Sequence, residues 1–528
     1  MKKLIFTDKY INPFVFDIEK LSENWTINKI HKFFINNDID TSIDQDIILA
    51  YTSDWSNISG GNADLLVRPK SSSECAIILK TCEACKIQIT ISAGKTNLTG
   101  SATPFGGIVL STEKLDISNF IIDKNNKTVK CSPGIPLEKM RKEILKQSNH
   151  KLYYPVDPTS RNDAFVGGTI SCNASGFIPG SKGATRYWVR EVEFILMNGF
   201  SINVKRGEYI SENGQFELDY NSEKFILNIP KYERPKIKNA SGPFSAFNEE
   251  IDFIDLIIGS EGIFGMITDC KLALADKPKG FLDLFIKLNS ETKAIEFYDF
   301  LVSFFKNDIS KLTALEYFGY NCQKYMQHKD YFFDSEDEVG VYLQFPFHSK
   351  NLDYYIEKWI YILKEFDSEI NLDSIISLND KNIWNKFFEA RHSIPDNALS
   401  KTKQIGGISI ITDTIVPRDN FKIYLDTIHK KLQYNNIEYL LFGHLGDCHL
   451  HFHLIPDEKQ QDSALEIYNY MIDFSSKLGG VYSAEHGTGK RKRIDFEKCY
   501  GKDAVKMVKN TKLSFDPYLL LNKGNIFK

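Results

Sequence analysis

Four of the chain's eleven histidines fall within ten residues, in the run FGHLGDCHLHFHL from Phe442 to Leu454. On a strand, residues two apart share a face, so His449, His451 and His453 point one way and Leu450, Phe452 and Leu454 the other. His444 precedes the corner LGD, which can turn it back toward His451. Imidazole is the commonest protein ligand for Zn, Mn or Fe at neutral pH. Downstream, SAEHGTGKRKR (Ser483–Arg493) adds a carboxylate, Glu485, and another imidazole, His486. The residue types suggest a metal site beside a proton acceptor; polar histidines on a half-exposed strand are the plainer alternative. Arg391, in KFFEARHSIPDNALS, has the planar fork that grips a carboxylate, although a surface helix arginine accounts for it equally well.

A second group of residues could hold a large ligand. SAGKTNLTGSATPFGGIVLST (92–112) follows a predicted strand and carries Gly94, Gly100, Gly106 and Gly107, a pattern that can expose backbone N–H groups to an anion. It is neither GxGxxG nor a Walker loop. YYPVDPTSRNDAFVGGTISCNASGFIPGSKGATR (153–186) offers small and hydroxylated residues that let backbone approach a flat or phosphorylated ligand, and IIGSEGIFGMIT (257–268) is a third glycine-bearing segment. Three such loops separated by strands suggest one cofactor lying along a cleft, against the alternative of three ordinary turns.

The elements that must position these residues are short strands and helices in alternation. At 528 residues the chain should form two or three domains. Residues 1–60 form a polar extension with one amphipathic helix, IEKLSENWTINKIHKFFI. LLVRP then reads as a strand, SSSECAIILKTCEAC as a serine-capped helix and KIQITISAG as a strand. The stretch 205–250 is irregular and polar. Beyond residue 277, GFLDLFIKL, TALEYFGYN and EVGVYLQFPF alternate with helices, and the stretch bearing Arg391 reads as a helix ending near Pro395. A net charge of −4 and a pI near 6.3 give no global field to attract nucleic acid or an anionic membrane. Nine scattered cysteines read as reduced thiols, with Cys82 and Cys85 as helix thiols rather than half a zinc site. No signal-peptide core or transmembrane run is predicted, so the expectation is a cytoplasmic protein, with a peripheral position on the inner face of the membrane left open.

SAGKTNLTGSATPFGG, DPTSRNDAFVGGTISCNASG and GSEGIFGMITDCKLAL, in that order, resemble the flavin-binding signatures of the vanillyl-alcohol-oxidase superfamily. FGHLGDCHLHFHL and SAEHGTGKRKR resemble the C-terminal domain of its glycolate oxidase, D-lactate dehydrogenase and D-2-hydroxyglutarate dehydrogenase branch. The resemblance implies an α+β protein: a two-subdomain FAD-binding domain over 61–277, then an α+β cap with an antiparallel sheet over 278–528 that carries the substrate and metal sites. It implies FAD held by Ser92, Ala93, Gly94, Lys95, Thr96, Asn97, Leu98, Thr99 and Gly100 at the pyrophosphate. Pro158, Thr159, Ser160, Gly167, Gly168, Ser171, Asn173 and Gly176 would line the flavin, with Gly262, Gly265 and Ile267 toward the adenine. No histidine accompanies Lys95 in the first loop, so the FAD is expected to be non-covalent.

The implied metal ligands are His444, His451 and Glu485, holding Zn, Mn or Fe. His486 is the implied base and Arg391 the grip on the substrate carboxylate. The implied reaction is oxidation of a D-2-hydroxy acid, lactate-like or larger, to the 2-oxo acid. Electrons would pass on to a quinone, a cytochrome or an electron-transfer flavoprotein, and a homodimer is compatible with the sequence. The alternatives are a sugar acid or alkylglycerone-phosphate type of substrate, or a non-catalytic subunit of an electron-transfer complex. Relatives carry an amide at the position of His449, the hydroxyglutarate enzymes another at His453, and a lysine at Ile411. These departures put hydroxyglutarate itself in doubt and assign His449 and His453 to the pocket.

Overall fold

The computed structural model describes residues 2–115, 120–246 and 248–528. Its first subdomain is a four-stranded sheet in the order Thr41–Ser42, Leu65–Val67, Ile108–Ser111, Ile89–Ser92, in which the last three strands are parallel. Parallel neighbours need a crossover. The helix Ser72–Cys85 carries the chain from Leu65–Val67 to Ile89–Ser92, on either side of Ile108–Ser111, and is opened by Ser71, whose hydroxyl accepts from the Glu74 N–H. Cys82 and Cys85 are buried in this helix, and burial pushes the Cys85 thiol up to about 11. They are core thiols.

The second subdomain is a five-stranded antiparallel sheet in the order Ser201–Lys205, Val189–Ile195, Met266–Ala273, Thr128–Cys131, Ile121–Asp123. The first and third glycine loops emerge from Ile89–Ser92 and lead into Met266–Ala273, so one loop hangs from each subdomain. A cleft between such loops follows from the topology.

The cap is a seven-stranded antiparallel sheet, ordered Ile375–Ser377, Gly280–Leu288, Val339–Phe347, Ala314–Phe318, Glu438–His444, His449–Ile455, Ile410–Ile411. Leu450, Phe452 and Leu454 face a core shared with Leu282, Leu284, Trp359 and Leu425, so the histidines between them face away from it. The expected α+β architecture with an antiparallel cap is what the chain adopts.

Several local readings change. The single helix expected at 18–35 is two, Val15–Ser22 and Ile27–Asn36, because the Thr26 hydroxyl accepts from the Lys29 N–H and starts a new helix. The helix bearing Arg391 does not stop near Pro395 but runs Lys381–Gln404 through it. Phe387, Ala390, Ile394 and Ala398 are buried along one stripe, and that packing outweighs the hydrogen bond Pro395 removes. The stretch 205–250 contains a hairpin, Gln215–Tyr220 with Glu223–Asn228, turned by Asn221 and Ser222, both at positive φ. Residues 1–60 are not a separate appendage: Leu4–Phe6 pairs in parallel with Leu218–Tyr220, and Ile18, Ile30 and Phe34 share a core with the helix Ser72–Cys85. The chain also leaves the cap at its end, since Phe496, Val508, Phe515 and Ile526 pack in the core of the second subdomain.

Candidate active site

A cleft of about 430 Å³ runs between the two subdomains and up to the cap. Of the first loop it is lined by Ala93, Gly94, Lys95, Thr96, Asn97 and Leu98, and of the second by Pro158, Thr159, Ser160, Gly167, Gly168, Ser171 and Gly176. Gly262, Gly265 and Ile267 line it from the third, and Asn522 joins them from the C-terminus. Ser92, Thr99, Gly100 and Asn173 are not on its wall. Asn173 instead accepts from the Arg186 N–H through its side chain, and Gly100 adopts the left-handed φ of +78° behind the loop.

Two of the glycines have a steric reason. A Cβ on Gly94 would lie 2.1 Å from the Asp163 carbonyl oxygen, and one on Gly176 would lie 2.5 Å from the Asp157 nitrogen. Gly94 lets the first loop pack on the second, and Gly176 lets the second fold closely on itself. Among the described residues, the buried Thr112 hydroxyl on that wall has no hydrogen-bond partner, which suits a ligand rich in acceptors.

At the cap end the cleft meets His444, His451, Glu485 and His486. The pairing His444↔His449 and Phe442↔His451 puts His444, His449 and His451 on one face of the hairpin. His451 Nδ1 lies 2.8 Å from the Thr412 carbonyl oxygen, so this nitrogen carries the proton and Nε2 is left free, 3.5 Å from Glu485 Oε1. His444 Nδ1 lies 2.6 Å from Glu316 Oε1, and its Nε2 is 3.4 Å from Glu485 Oε2. Both rings are tied behind and present Nε2 to one carboxylate, the arrangement of metal-ligating histidines with their supporting acceptors.

His449, expected in the pocket, is not on the cleft wall; it joins His444, His451 and Glu485 in a set whose donor atoms lie within 4.8 Å of one another. Its ring is fully buried, and neither nitrogen makes a hydrogen bond of good geometry, although Nε2 is 3.1 Å from Asp413 Oδ1. His453 is also off the wall, hydrogen-bonded to Ser409. The donors present therefore fit a divalent metal, and His449, with Nε2 beside Asp413, stands next to them.

Charge at this end is densely compensated. Burial pulls the His444 imidazole down, but Glu316 and Glu485 outweigh it and hold the ring up at about 9. Burial drives His486 the other way, to about 4, despite Asp413 beside it, so His486 is neutral at neutral pH. Its Nδ1 faces Asp413 Oδ2 at 3.6 Å, its backbone N–H donates to the same oxygen at 2.9 Å, and the ring stacks on His451 with planes 6° apart. Asp413 also accepts from Ser483 at 2.6 Å and Lys492 at 3.2 Å; despite burial, His486, Lys492 and His449 hold its carboxyl well below the usual range.

Arg391 is off the cleft wall, 3.0 Å from Glu316 Oε2 and stacked over Phe177, which is on it. Sequence reasoning missed Glu316, Asp413 and Lys238. The signal for Glu316 was a lone acid in an otherwise apolar strand, ALEYF, all of whose residues are buried. Lys238 gave no signal.

A profile described as the FAD-binding domain matches residues 63–205, and another, described as the C-terminal domain of FAD-linked oxidases, matches 302–526. The chain belongs to the FAD-linked oxidases of the vanillyl-alcohol-oxidase superfamily. It is 25% identical to a D-2-hydroxyglutarate dehydrogenase of Stutzerimonas stutzeri, over 92% of this chain and 95% of that one. Identity to a D-lactate dehydrogenase of Anaerostipes hadrus is 26%, over 90% and 92%. Among solved structures, p-cresol methylhydroxylase superposes with a TM-score of 0.65 at 13% identity, covering 93% of this chain and 94% of that one. Alkyldihydroxyacetonephosphate synthase gives 0.63 at 15%, covering 94% and 84%; both likenesses concern the fold. This FAD-linked oxidase has, among the described residues, no helix long and apolar enough to cross a membrane.

Proposed function

We propose that this flavoenzyme oxidises a D-2-hydroxy acid to the 2-oxo acid, with non-covalent FAD in the cleft and a divalent metal at His444, His451 and Glu485. The observation that carries the reading is the pair of Nε2 atoms of His444 and His451 converging on Glu485 beside a neutral His486, at the cap end of the cleft. The relatives named D-2-hydroxyglutarate and D-lactate dehydrogenase support the substrate class. When bound, FAD supplies the acceptor for the hydrogen and two electrons that leave the substrate Cα, and the metal supplies Lewis acidity at the 2-hydroxyl.

The chain's own residues do the rest. His486 takes the hydroxyl proton at Nε2, the nitrogen turned away from Asp413, and Asp413 holds the ring in that orientation. Burial keeps His486 unprotonated and ready to accept. Arg391, expected to grip the substrate carboxylate, lies behind Phe177 and is tied to Glu316, so it positions these two residues rather than touching the substrate. Phe177, Pro395, Ile411 and Phe442 wall this end. Such walls suit a small or apolar side chain better than a second carboxylate, which would be stranded without a partner. The preferred substrate is therefore nearer to D-lactate than to D-2-hydroxyglutarate.

Anaerobic mixing of the yellow protein with D-lactate, L-lactate, D-2-hydroxybutyrate and D-2-hydroxyglutarate tests this, with flavin bleaching as the readout. D-acids with short apolar chains should bleach it fastest. His486→Ala should retain FAD and lose about 10²–10⁴-fold in bleaching rate, the range for a general base. Unchanged bleaching in that variant would remove the proposed base, and failure of every hydroxy acid would remove the substrate class.

A further inference from the structure

Lys238 reaches the metal-ligand cluster from residues 229–246, which hold neither helix nor strand. Its side chain is 5% exposed, and Nζ lies 2.9 Å from Glu485 Oε2 and 3.5 Å from Asp447 Oδ2. No hydrogen bond of good geometry is completed by that nitrogen among the described residues, although it is buried. An ammonium in such a place is costly unless something compensates it, and here two carboxylates do so by charge alone.

The segment is held to the catalytic loop at several points. The Ala240 N–H donates to the Ser483 carbonyl at 3.1 Å, and the Gly242 N–H donates to Thr488 Oγ1 at 3.0 Å. Arg234 donates to the Asn239 carbonyl at 3.1 Å and the Pro243 carbonyl at 3.0 Å, and Ser241 Oγ lies 2.8 Å from the Tyr500 hydroxyl. The backbone just after Lys238 is thereby fixed relative to Glu485, and Arg234 ties the stretch before it to the same turn. A four-carbon side chain on a pinned loop, buried and aimed at one carboxylate, is a placed charge rather than a stray surface lysine.

Glu485 Oε2 is also the oxygen nearest His444 Nε2, at 3.4 Å. An ion bound between those two atoms has to share that oxygen with the ammonium. We propose that Lys238 is a built-in competitor for the metal: its ammonium, 2.9 Å from Glu485 Oε2, contends for that carboxylate and weakens divalent-cation binding to His444, His451 and Glu485. This rests on the reading of that cluster as a metal site. Like charges a few ångströms apart in a buried setting repel strongly, whereas Lys238 and Glu485 alone attract. Binding must therefore turn Lys238 toward Asp447, which is already within 3.5 Å and is anchored by accepting the Gly180 N–H at 2.7 Å. The pair Lys238 and Asp447 would then serve as the resting place of the displaced ammonium.

The test is titration calorimetry of Zn²⁺ and Mn²⁺ into the FAD-loaded protein after dialysis against a chelator, comparing wild type with Lys238→Met and Lys238→Arg. Methionine keeps the length and apolar packing and removes the charge. It should bind at least about ten-fold more tightly than wild type, the size expected of a group beside the ligands, while the arginine variant should bind no more tightly. Thermal melting gives a second reading that needs no turnover. The metal-free Lys238→Met protein should melt below wild type, since Glu485 and Asp447 lose their counter-charge, and metal should raise its midpoint by more than it raises that of wild type. Equal or weaker binding by Lys238→Met overturns the proposal. If no variant binds either ion, the metal reading falls with it, and the flavin-bleaching experiment decides separately whether the hydroxy-acid reading survives.

Discussion

Glu316 accepts from Arg391 Nη2 at 3.0 Å and contacts His444 Nδ1 at 2.6 Å, so one buried carboxylate fixes both the arginine behind Phe177 and a proposed ligand. Burial would raise its carboxyl, but His444 and Arg391 outweigh it and bring it down to about 2. A carboxylate behind a ligating histidine sets the tautomer and basicity of the ring, and losing one typically costs 10–100-fold in metal affinity. Glu316→Gln should therefore weaken Zn²⁺ binding by about that factor while FAD content is unchanged, as read by calorimetry and by the ratio of flavin to protein absorbance. Full metal affinity in that variant would show that Glu316 serves only Arg391. At this scale the sequence was informative where residues act through spacing. His444, His451, Glu485 and His486 lie in two short motifs, and the period-two run put their faces in order. Glu316, Asp413 and Lys238 come from positions 128, 72 and 247 residues from the motif partners they touch, His444, Glu485 and Glu485. No periodicity connects residues so far apart, and a single charged side chain in an apolar strand or a polar loop does not announce its partner.

The third glycine loop is held by a short helix, Phe253–Ile257, whose Asp255 receives Arg186 Nη1 at 2.8 Å and Arg206 Nη1 at 3.1 Å. Arg186 also reaches the Ile258 carbonyl, one residue before Gly259. Two arginines thus clamp the turn from which the loop departs. Burial would raise the Asp255 carboxyl, but Arg186 and then Arg206 hold it below its ordinary value of 3.8. A carboxyl depressed in the fold contributes stability that is present above its unfolded value and is lost as pH falls through the folded one. Removing one member of such a buried cluster costs on the order of 3–5 kcal/mol. Asp255→Ala should be less stable than wild type by about that amount in urea at pH 7, and the gap should close as pH drops below 3.8. A gap that stays constant through acid would mean the loss is one of packing and not of charge. Elements of strong period were readable from sequence, such as the strands that flank the histidine corner. Those decided by caps or distant packing were not: Thr26 divides a helix that amphipathicity alone joins, and the stripe Phe387, Ala390, Ile394, Ala398 carries a helix through Pro395.

Across the whole molecule, the division into an extension, a flavin domain and a cap describes the order of the chain better than the way it is held together. The strand Ile89–Ser92 lies at the edge of its sheet, and an open edge leaves backbone groups unpaired. The C-terminus covers it. The Ile89 N–H donates to the Leu520 carbonyl at 3.0 Å, the Asn522 N–H returns a bond to the Ile89 carbonyl at 2.8 Å, and Asn522 Oδ1 accepts from the Ile91 N–H at 2.8 Å. Asn522 Nδ2 then donates to the Glu261 carbonyl at 3.0 Å, and Asn525 Nδ2 donates to the Ser101 carbonyl at 3.1 Å. The last residues therefore tie the first glycine loop to the third across the cleft, although they follow the cap in sequence. A polar tail such as LLNKGNIFK has no apolar period, so only its partners disclose its role. A chain ending at Asp516 should fold its cap, lose FAD on gel filtration and scatter light on concentration, because the loops on either side of the cofactor are no longer joined and a sheet edge is bare. Asn522→Ala, which leaves the backbone pairing and removes two buried hydrogen bonds, should cost about 1–3 kcal/mol per acceptor or donor left unpaired. It should lower flavin retention without abolishing it. If the shortened chain keeps a full complement of FAD, the loops hold the cofactor without the tail, and the cleft is a property of the two subdomains alone.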